Sequence, residues 1–143
     1  MKALSFVVYG DPRPQGSKRA IVNRHTGKPA VIESGGAPLR TWRADIMAAA
    51  RSEIAKAGEW SAFAGPLYVD MLFYLRRPKR PKAALPITRP DVDKLARAVM
   101  DALGAAGVFN DDAQVTTLYV GKRYSEPPRL AVNVREEPSG GGA

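Results

Sequence analysis

The chain has 143 residues, 45% hydrophobic and 25% charged, a composition typical of one globular domain rather than of a disordered chain. It has no cysteine and one histidine, which excludes a disulfide framework, thiolate zinc sites and cysteine nucleophiles. The net charge of +8 favours a polyanionic partner, because Lys and Arg side chains that contact phosphates release counterions.

The pattern of apolar residues predicts two helices and several strands joined by turns. Leu4, Phe6 and Val8 alternate along the chain, as in a strand with one buried face. We expect one domain over residues 1–137 and a flexible Gly-rich tail at 138–143. The predicted elements are, in chain order, a strand at 1–9, a hairpin at 20–22 and 29–32, a helix at 39–57, a strand at 67–75, a helix from 91 to 106, and strands at 114–122 and 129–135.

No stretch of the sequence has the pattern of a secretory signal or of a membrane-spanning helix. The first apolar strand ends at Gly10, and nowhere do about 18 apolar residues follow one another. We therefore expect a cytoplasmic protein without a membrane partner, in a bacterial cell or in a bacterial host infected by a virus.

Residues 76–90 form a basic, proline-rich segment between a predicted strand and the second predicted helix. Prolines remove backbone donors and restrict their neighbours, so we expect no helix or strand here. The segment is either a solvated loop or a loop that faces DNA, and its concentration of cations favours the second interpretation. These cations are Arg76, Arg77, Lys79, Arg80 and Lys82.

Two pairs of aspartates stand out in this basic chain, the first at residues 91 and 93 and the second at residues 111 and 112. A helix of about 16 residues would separate them by ~24 Å, so the pairs meet only if the chain returns along the helix. If they meet, their oxygens suit Mg²⁺ or Mn²⁺, and such an ion polarises a phosphodiester and activates water. Otherwise the first pair caps the helix and interacts with its dipole, and the second forms a turn.

Several short blocks in a fixed order resemble the RusA family of Holliday-junction resolvases. Continuous similarity covers about residues 89–122, and weaker agreement extends to the opening strand, the loop after it and Trp42. Several blocks together are far more specific than any one of them. The blocks are Arg89-Pro90-Asp91-Val92-Asp93-Lys94-Leu95, Asp101-Ala102-Leu103, Gly107-Val108-Phe109 and Asp111-Asp112-Ala113-Gln114-Val115.

The resemblance implies a small α+β domain, with a mixed sheet and two main helices, that dimerises and cuts four-way DNA junctions using Mg²⁺ or Mn²⁺. Asp91 and Asp93 match the paired catalytic aspartates of the family, and Asp112 matches its third catalytic carboxylate. The fold would then bring Asp112 back to the start of the helix. Asp111 matches an often acidic position and is a further candidate metal ligand. Asp101 matches a recurrent aspartate, with either metal binding or the helix surface as its role.

Two positions depart from the family pattern. Lys94 stands where the family has Asn, and Arg97 stands where it has a catalytic Lys. Asp93 and Arg97 share a helix face because they lie four residues apart. Arginine stays charged and cannot act as a general base, so our hypothesis is that Arg97 keeps the electrostatic part of the lysine's role. The alternatives are Lys94 in that role, or a surface ion pair of Arg97 with an aspartate.

The sequence therefore predicts a Mg²⁺-dependent endonuclease that resolves Holliday junctions, without a small-molecule cofactor. Two cuts related by a two-fold axis favour a homodimer. The alternatives are a branched-DNA-binding protein that has lost cleavage through the changes at 94 and 97, and a nuclease that prefers other branched DNA. The expected DNA-binding side chains are Lys18, Arg19, Arg76, Arg77, Lys79, Arg80, Lys94 and Lys122.

Overall fold

The computed structural model describes residues 2–16, 19–32 and 35–138. The predicted helices and strands are present with shifted ends; the first helix, for example, begins at Gly36 rather than at residue 39. The predicted tail at 138–143 lies outside the described residues except for Pro138. The elements are β1 (Ala3–Tyr9), β2 (Arg19–Val22), β3 (Pro29–Ile32), α1 (Gly36–Lys56), β4 (Leu67–Leu75), α2 (Val92–Ala105), a single 3₁₀ turn (Asp112–Gln114), β5 (Val115–Tyr124) and β6 (Arg129–Glu136).

Four strands form a mixed sheet in the order β1-β6-β4-β5, and β2 pairs with β3 as a separate hairpin. Strand β6 is antiparallel to both β1 and β4, whereas β4 and β5 are parallel. With the two helices this is an α+β fold, as the resemblance implies. The parallel pair matters most for function, because α2 is the crossover between its strands and must run antiparallel to both.

The core lies between the two helices and one face of the sheet. Strand β1 buries Leu4, Phe6 and Val8 and exposes the residues between them, as the alternation predicts. Helix α1 packs against β1 and α2 packs against β5. Val92 belongs to the apolar stripe predicted for the second helix, but it is 38% exposed because it begins the helix and borders an open cavity.

The loop that follows β1 crosses over α1 at a close approach. Gly10 has a φ of 143°, and a side chain there would contact the ring of buried Trp42 at 3.4 Å. His25 is exposed in the turn of the β2–β3 hairpin, as predicted. Within the described part of the chain, no helix has the length and apolar character needed to cross a membrane.

Candidate active site

The second helix begins at Asp91, whose backbone takes an extended conformation and whose carbonyl accepts the first helical hydrogen bond, from the amide of Leu95 at 3.0 Å. The Asp91 side chain makes no capping hydrogen bond. Instead, its exposed carboxylate lies 3.7 Å from the ammonium group of Lys94, one helical turn away. A capping role therefore does not account for this aspartate.

The two aspartates of the second pair, Asp111 and Asp112, have different surroundings. Asp111 caps the 3₁₀ turn: its Oδ1 accepts from the amide of Ala113 at 2.9 Å, and its own amide donates to the side chain of Gln114. The Gln114 amide nitrogen also donates to the carbonyl of Phe63 at 2.7 Å, which fixes the turn against the core. The turn thus occupies one oxygen of Asp111, and the exposed Asp112 side chain lines a cavity.

That cavity, of about 520 Å³, lies between α2 and β5. Four charged side chains line it: three lie along α2, and the fourth comes from the 3₁₀ turn before β5. The remainder of its wall is apolar. The charged residues are Asp93, Arg97, Asp101 and Asp112, and the apolar residues are Val92, Ala96, Met100, Val115, Leu118 and Val120. The fold therefore brings the two acidic regions into one cavity, together with the arginine at the position of the family's lysine.

The two acidic regions nevertheless occupy opposite ends of the cavity. Strand β5 runs antiparallel to α2, so Asp112 lies beside the C-terminal half of the helix, while Asp93 lies in its first turn. The resemblance implied that Asp112 returns to the start of the helix to share a metal ion, and that grouping stays a prediction. Among the described residues, no three Asp, Glu or His side chains group closely enough to hold a metal ion. The described part of the chain therefore supplies the oxygen donors that Mg²⁺ prefers, but it does not gather three carboxylates into one cluster.

Asp91 faces a different cleft from Asp93. Asp91 precedes α2 in an extended conformation, and it lines a second space of about 520 Å³ together with Lys94. Arg13, Gly16 and the segment before α2 form the other walls of this cleft. Arg97 and Lys94, the two residues that could replace the family's catalytic lysine, are separated in the same way. Arg97 lines the cavity with Asp93, and Lys94 lines the cleft with Asp91.

Lys122, predicted to contact DNA, makes two hydrogen bonds within the chain. Its ammonium group donates to the carbonyls of Thr88 at 2.7 Å and Pro90 at 2.8 Å. These bonds attach the C-terminal part of β5 to the residues immediately before Asp91. The side chain therefore holds the start of α2 against the sheet, whether or not its third donor reaches a phosphate.

Gln15 is the residue that the sequence analysis missed. It is 4% exposed, its amide donates to the carbonyl of Lys94 at 2.9 Å, and its side-chain nitrogen donates to Asp101. Its side-chain oxygen accepts from Arg43 of α1 at 2.9 Å. The loop after β1 is thereby fastened to both helices, and Asp101 has a structural partner. A lone glutamine between proline and glycine gives no sequence signal for this role.

Of the predicted DNA-binding residues, Arg76, Lys94 and Lys122 lie around the start of α2. Arg76 pairs with Asp11 at 2.9 Å and lies 4.0 Å from Glu126, while Arg77, Lys79 and Arg80 are exposed in a segment without helix or strand. Lys18 and the side chain of Arg19 lie outside the described residues. Arg89, which we did not single out from the sequence, is exposed and borders both the Asp91 cleft and a neighbouring cleft beside Arg76.

Comparison with known proteins gives two findings. The family described as Endodeoxyribonuclease RusA matches residues 11–135 of the chain. The chain is also 32% identical over 151 residues to the Uncharacterized protein YqaN of Bacillus subtilis (strain 168). That alignment covers 95% of this chain and 98% of the relative, so the similarity extends over essentially all of both proteins.

Proposed function

The chain belongs to the RusA family of endodeoxyribonucleases, and we propose that it is a metal-dependent enzyme that resolves Holliday junctions by paired, symmetric cuts. The observation that carries this proposal is the cavity between α2 and β5. It combines two carboxylates from separate segments, Asp93 and Asp112, with the guanidinium group of Arg97. In a chain of net charge +8, carboxylates in such a cavity oppose DNA binding unless they serve chemistry.

We assign the chemistry to four side chains. Asp91, Asp93 and Asp112 are the proposed metal ligands, as the resemblance implies, although the described residues of one chain do not gather them at one point; Asp111 is a further candidate through its remaining oxygen. A bound Mg²⁺ or Mn²⁺ ion would supply Lewis-acid catalysis and an activated water. Arg97 keeps its positive charge at any working pH and is suited to hold the phosphate and stabilise the charge that develops on it.

DNA binding is proposed for the basic surface around the start of α2. Arg13, Arg89 and Lys94 line the cleft beside Asp91, and the basic segment at 76–82 continues from it. Every phosphate that such side chains neutralise releases counterions, so the affinity for DNA is expected to fall steeply with salt. A four-way junction is the proposed substrate.

A homodimer is the proposed active form. Two cuts related by a two-fold axis require two identical sites, which a symmetric dimer provides. A dimer also agrees with the surface of the cavity, where Leu118 is 46% exposed at the edge strand of the sheet. Apolar side chains on an unpaired edge strand favour association with another chain.

Two observations favour a second candidate function, that of a branched-DNA-binding protein without cleavage activity. The described carboxylates do not form a three-residue cluster, and the positions of the family's Asn and Lys are occupied by Lys94 and Arg97. A nuclease that prefers other branched DNA is a third possibility with the same residues. One cleavage assay with several DNA substrates and variants distinguishes these three functions.

The test is cleavage of a synthetic four-way junction, compared with a linear duplex and a flap, in Mg²⁺ and in Mn²⁺. Wild type is compared with Asp93→Asn and with Asp45→Asn, a matched loss of an exposed carboxylate on α1. We expect paired symmetric nicks on the junction alone, abolished by Asp93→Asn and unchanged by Asp45→Asn. Tight junction binding without nicking by wild type in either metal would support the non-cleaving protein, and preferential cutting of the flap would support the third candidate.

A further inference from the structure

The two helices pack on one face of the four-stranded sheet, and most of the described residues on the other face, here called the open face, are partly or fully exposed. Strand pairing aligns the outward-facing side chains of this open face in rows that cross all four strands. At the end of the sheet where β1 finishes, one row alternates between tyrosine and arginine. This row, here called the Tyr–Arg row, consists of Tyr9, Arg129, Tyr74 and Arg123 on β1, β6, β4 and β5.

The Tyr–Arg row presents aromatic and cationic groups together over about 14 Å, since neighbouring strands lie about 4.8 Å apart. Tyr9 is 67% exposed on the edge strand, and Arg123 is exposed at the other edge. Between them, the guanidinium carbon of Arg129 lies 3.9 Å from the centre of the Tyr74 ring. The carbonyl of Pro127 accepts a hydrogen bond from Arg129 at 2.7 Å, which holds the guanidinium plane over the ring.

The charge of the open face is positive. Arg123, Arg129 and Arg135 point outward from it, against a single acidic residue, Asp70, which accepts a hydrogen bond from Asn133 at 2.8 Å. Within the described residues, the salt bridges involve none of these three arginines. A second copy of the chain packed face to face by a two-fold axis would bury the same arginines against one another, which is costly.

The Tyr–Arg row lies at the end of the sheet nearest the start of α2. Tyr9 leads directly into Asp11, the partner of Arg76, and Arg76 lines the cleft that also contains Arg89 and Tyr124. Lys122, one residue before Arg123, contacts the segment before Asp91. A DNA strand that leaves the start of α2 can therefore pass over this end of the sheet and reach the row, where the nearby carboxylates of Asp11 and Glu126 lie beside Arg76.

We infer that the Tyr–Arg row binds unpaired DNA that extends from the branch point of the substrate, an inference that rests on the proposed nuclease function. Exposed tyrosine rings and guanidinium planes are surfaces on which bases of any sequence stack. Arg123 and Arg129 neutralise the phosphates between those bases. The row would thus distinguish junctions whose arms are opened near the branch from fully paired DNA.

The inference is tested with the full-length protein and three DNAs without added metal: a single-stranded oligonucleotide, a blunt duplex, and a four-way junction with unpaired residues at its centre. The test variants are Tyr9→Ala and Arg123→Gln, separately and combined. The matched control is Arg51→Gln, the loss of an exposed charge at the far end of α1. We expect the double variant to bind the single strand and the opened junction about tenfold more weakly, with the blunt duplex changed far less.

Three results would overturn the inference. The first is a loss by the double variant no greater than that of Arg51→Gln. The second is an equal loss on the blunt duplex, which would make the row a general phosphate contact. The third is a change in the mass of the protein in light scattering, which would make the open face a contact between copies of the chain. Because binding is measured without cleavage, a wild type that binds unpaired DNA but never cuts a junction refutes the nuclease proposal and leaves this inference standing.

Discussion

The two sides of the first turn of α2 have different surroundings, although their carboxylates are only two residues apart in sequence. Asp91 faces an open cleft whose other charged side chains, Lys94, Arg13 and Arg89, are all basic. Asp93 faces a cavity whose wall is mostly apolar and which also contains Arg97. The division arises where the helix begins, because Asp91 precedes α2 in an extended conformation whereas Asp93 lies within its first turn.

We therefore expect the two neighbouring aspartates to serve different tasks. An exposed cleft with basic side chains suits binding of the DNA backbone, because these side chains neutralise phosphates and release their counterions. The cavity brings carboxylates from separate segments together with the guanidinium group of Arg97, an arrangement that suits chemistry on a phosphate. We therefore expect substitutions in the cavity to change the rate of cleavage, and substitutions in the cleft to change affinity.

After the complete loss of cleavage expected for Asp93→Asn, the largest effect is expected at Arg97. Arg97→Gln removes the fixed charge from the cavity and should lower the rate of junction cleavage by about 10²–10³-fold, with little change in affinity. Arg97→Lys, which restores the residue type of the family, should keep most of the activity. The measurement is the single-turnover cleavage rate at saturating enzyme. Cleavage by Arg97→Gln at the wild-type rate would refute the role and leave Arg97 as a surface residue.

The next prediction concerns stability and the loop after β1, which Gln15 fastens to both helices. Gln15→Leu leaves the polar groups of Asp101 and Arg43 without their shared partner, which should lower the free energy of unfolding by about 1–3 kcal/mol. The measurement is urea unfolding, with Asn110→Leu as the matched loss of an exposed amide. An equal stability of the two variants would show that the loop after β1 is held by other contacts.

Periodicity and turn chemistry were sufficient to predict the elements of this fold but not their arrangement. The alternation of Leu4, Phe6 and Val8 has one physical cause, burial of one strand face, and the structure agrees. The parallel pairing of β4 with β5 depends on contacts between segments about fifty residues apart, which no local pattern records. It is this pairing that puts Asp112 beside the C-terminal half of α2.

The candidate site was predictable in its residues and not in its grouping. Asp91, Asp93 and Asp112 were recognisable because aspartates are unexpected in a basic chain and match the family's blocks. Their division between a cleft and a cavity follows from where α2 begins and from the direction of β5. The hydrogen bonds of Gln15 and Lys122 depend on tertiary contacts alone, so their roles were accessible only from the structure.

A smaller effect is expected at Lys122, which holds the segment before Asp91. Lys122→Met removes two hydrogen bonds to carbonyls and should slow cleavage by about tenfold, as loss of a supporting contact commonly does at a metal site. Affinity and its salt dependence should change little, and Lys122→Arg should restore part of the rate. If the side chain instead binds a phosphate, the affinity and the salt slope fall while the rate at saturating DNA stays at the wild-type value.

The smallest effect is expected at Lys94, and it bears most directly on the comparison of cleft and cavity. Its pairing with Asp91 is half exposed, and such pairs contribute at most about 1 kcal/mol, so Lys94→Gln should leave stability unchanged. One fewer phosphate contact should reduce the slope of log affinity against log salt by about one and leave the saturated cleavage rate intact. The measurement is a salt titration of junction binding. If Lys94→Gln instead abolishes cleavage at saturating DNA, the lysine beside Asp91 supplies the charge assigned to Arg97, and the catalytic centre lies in the cleft rather than in the cavity.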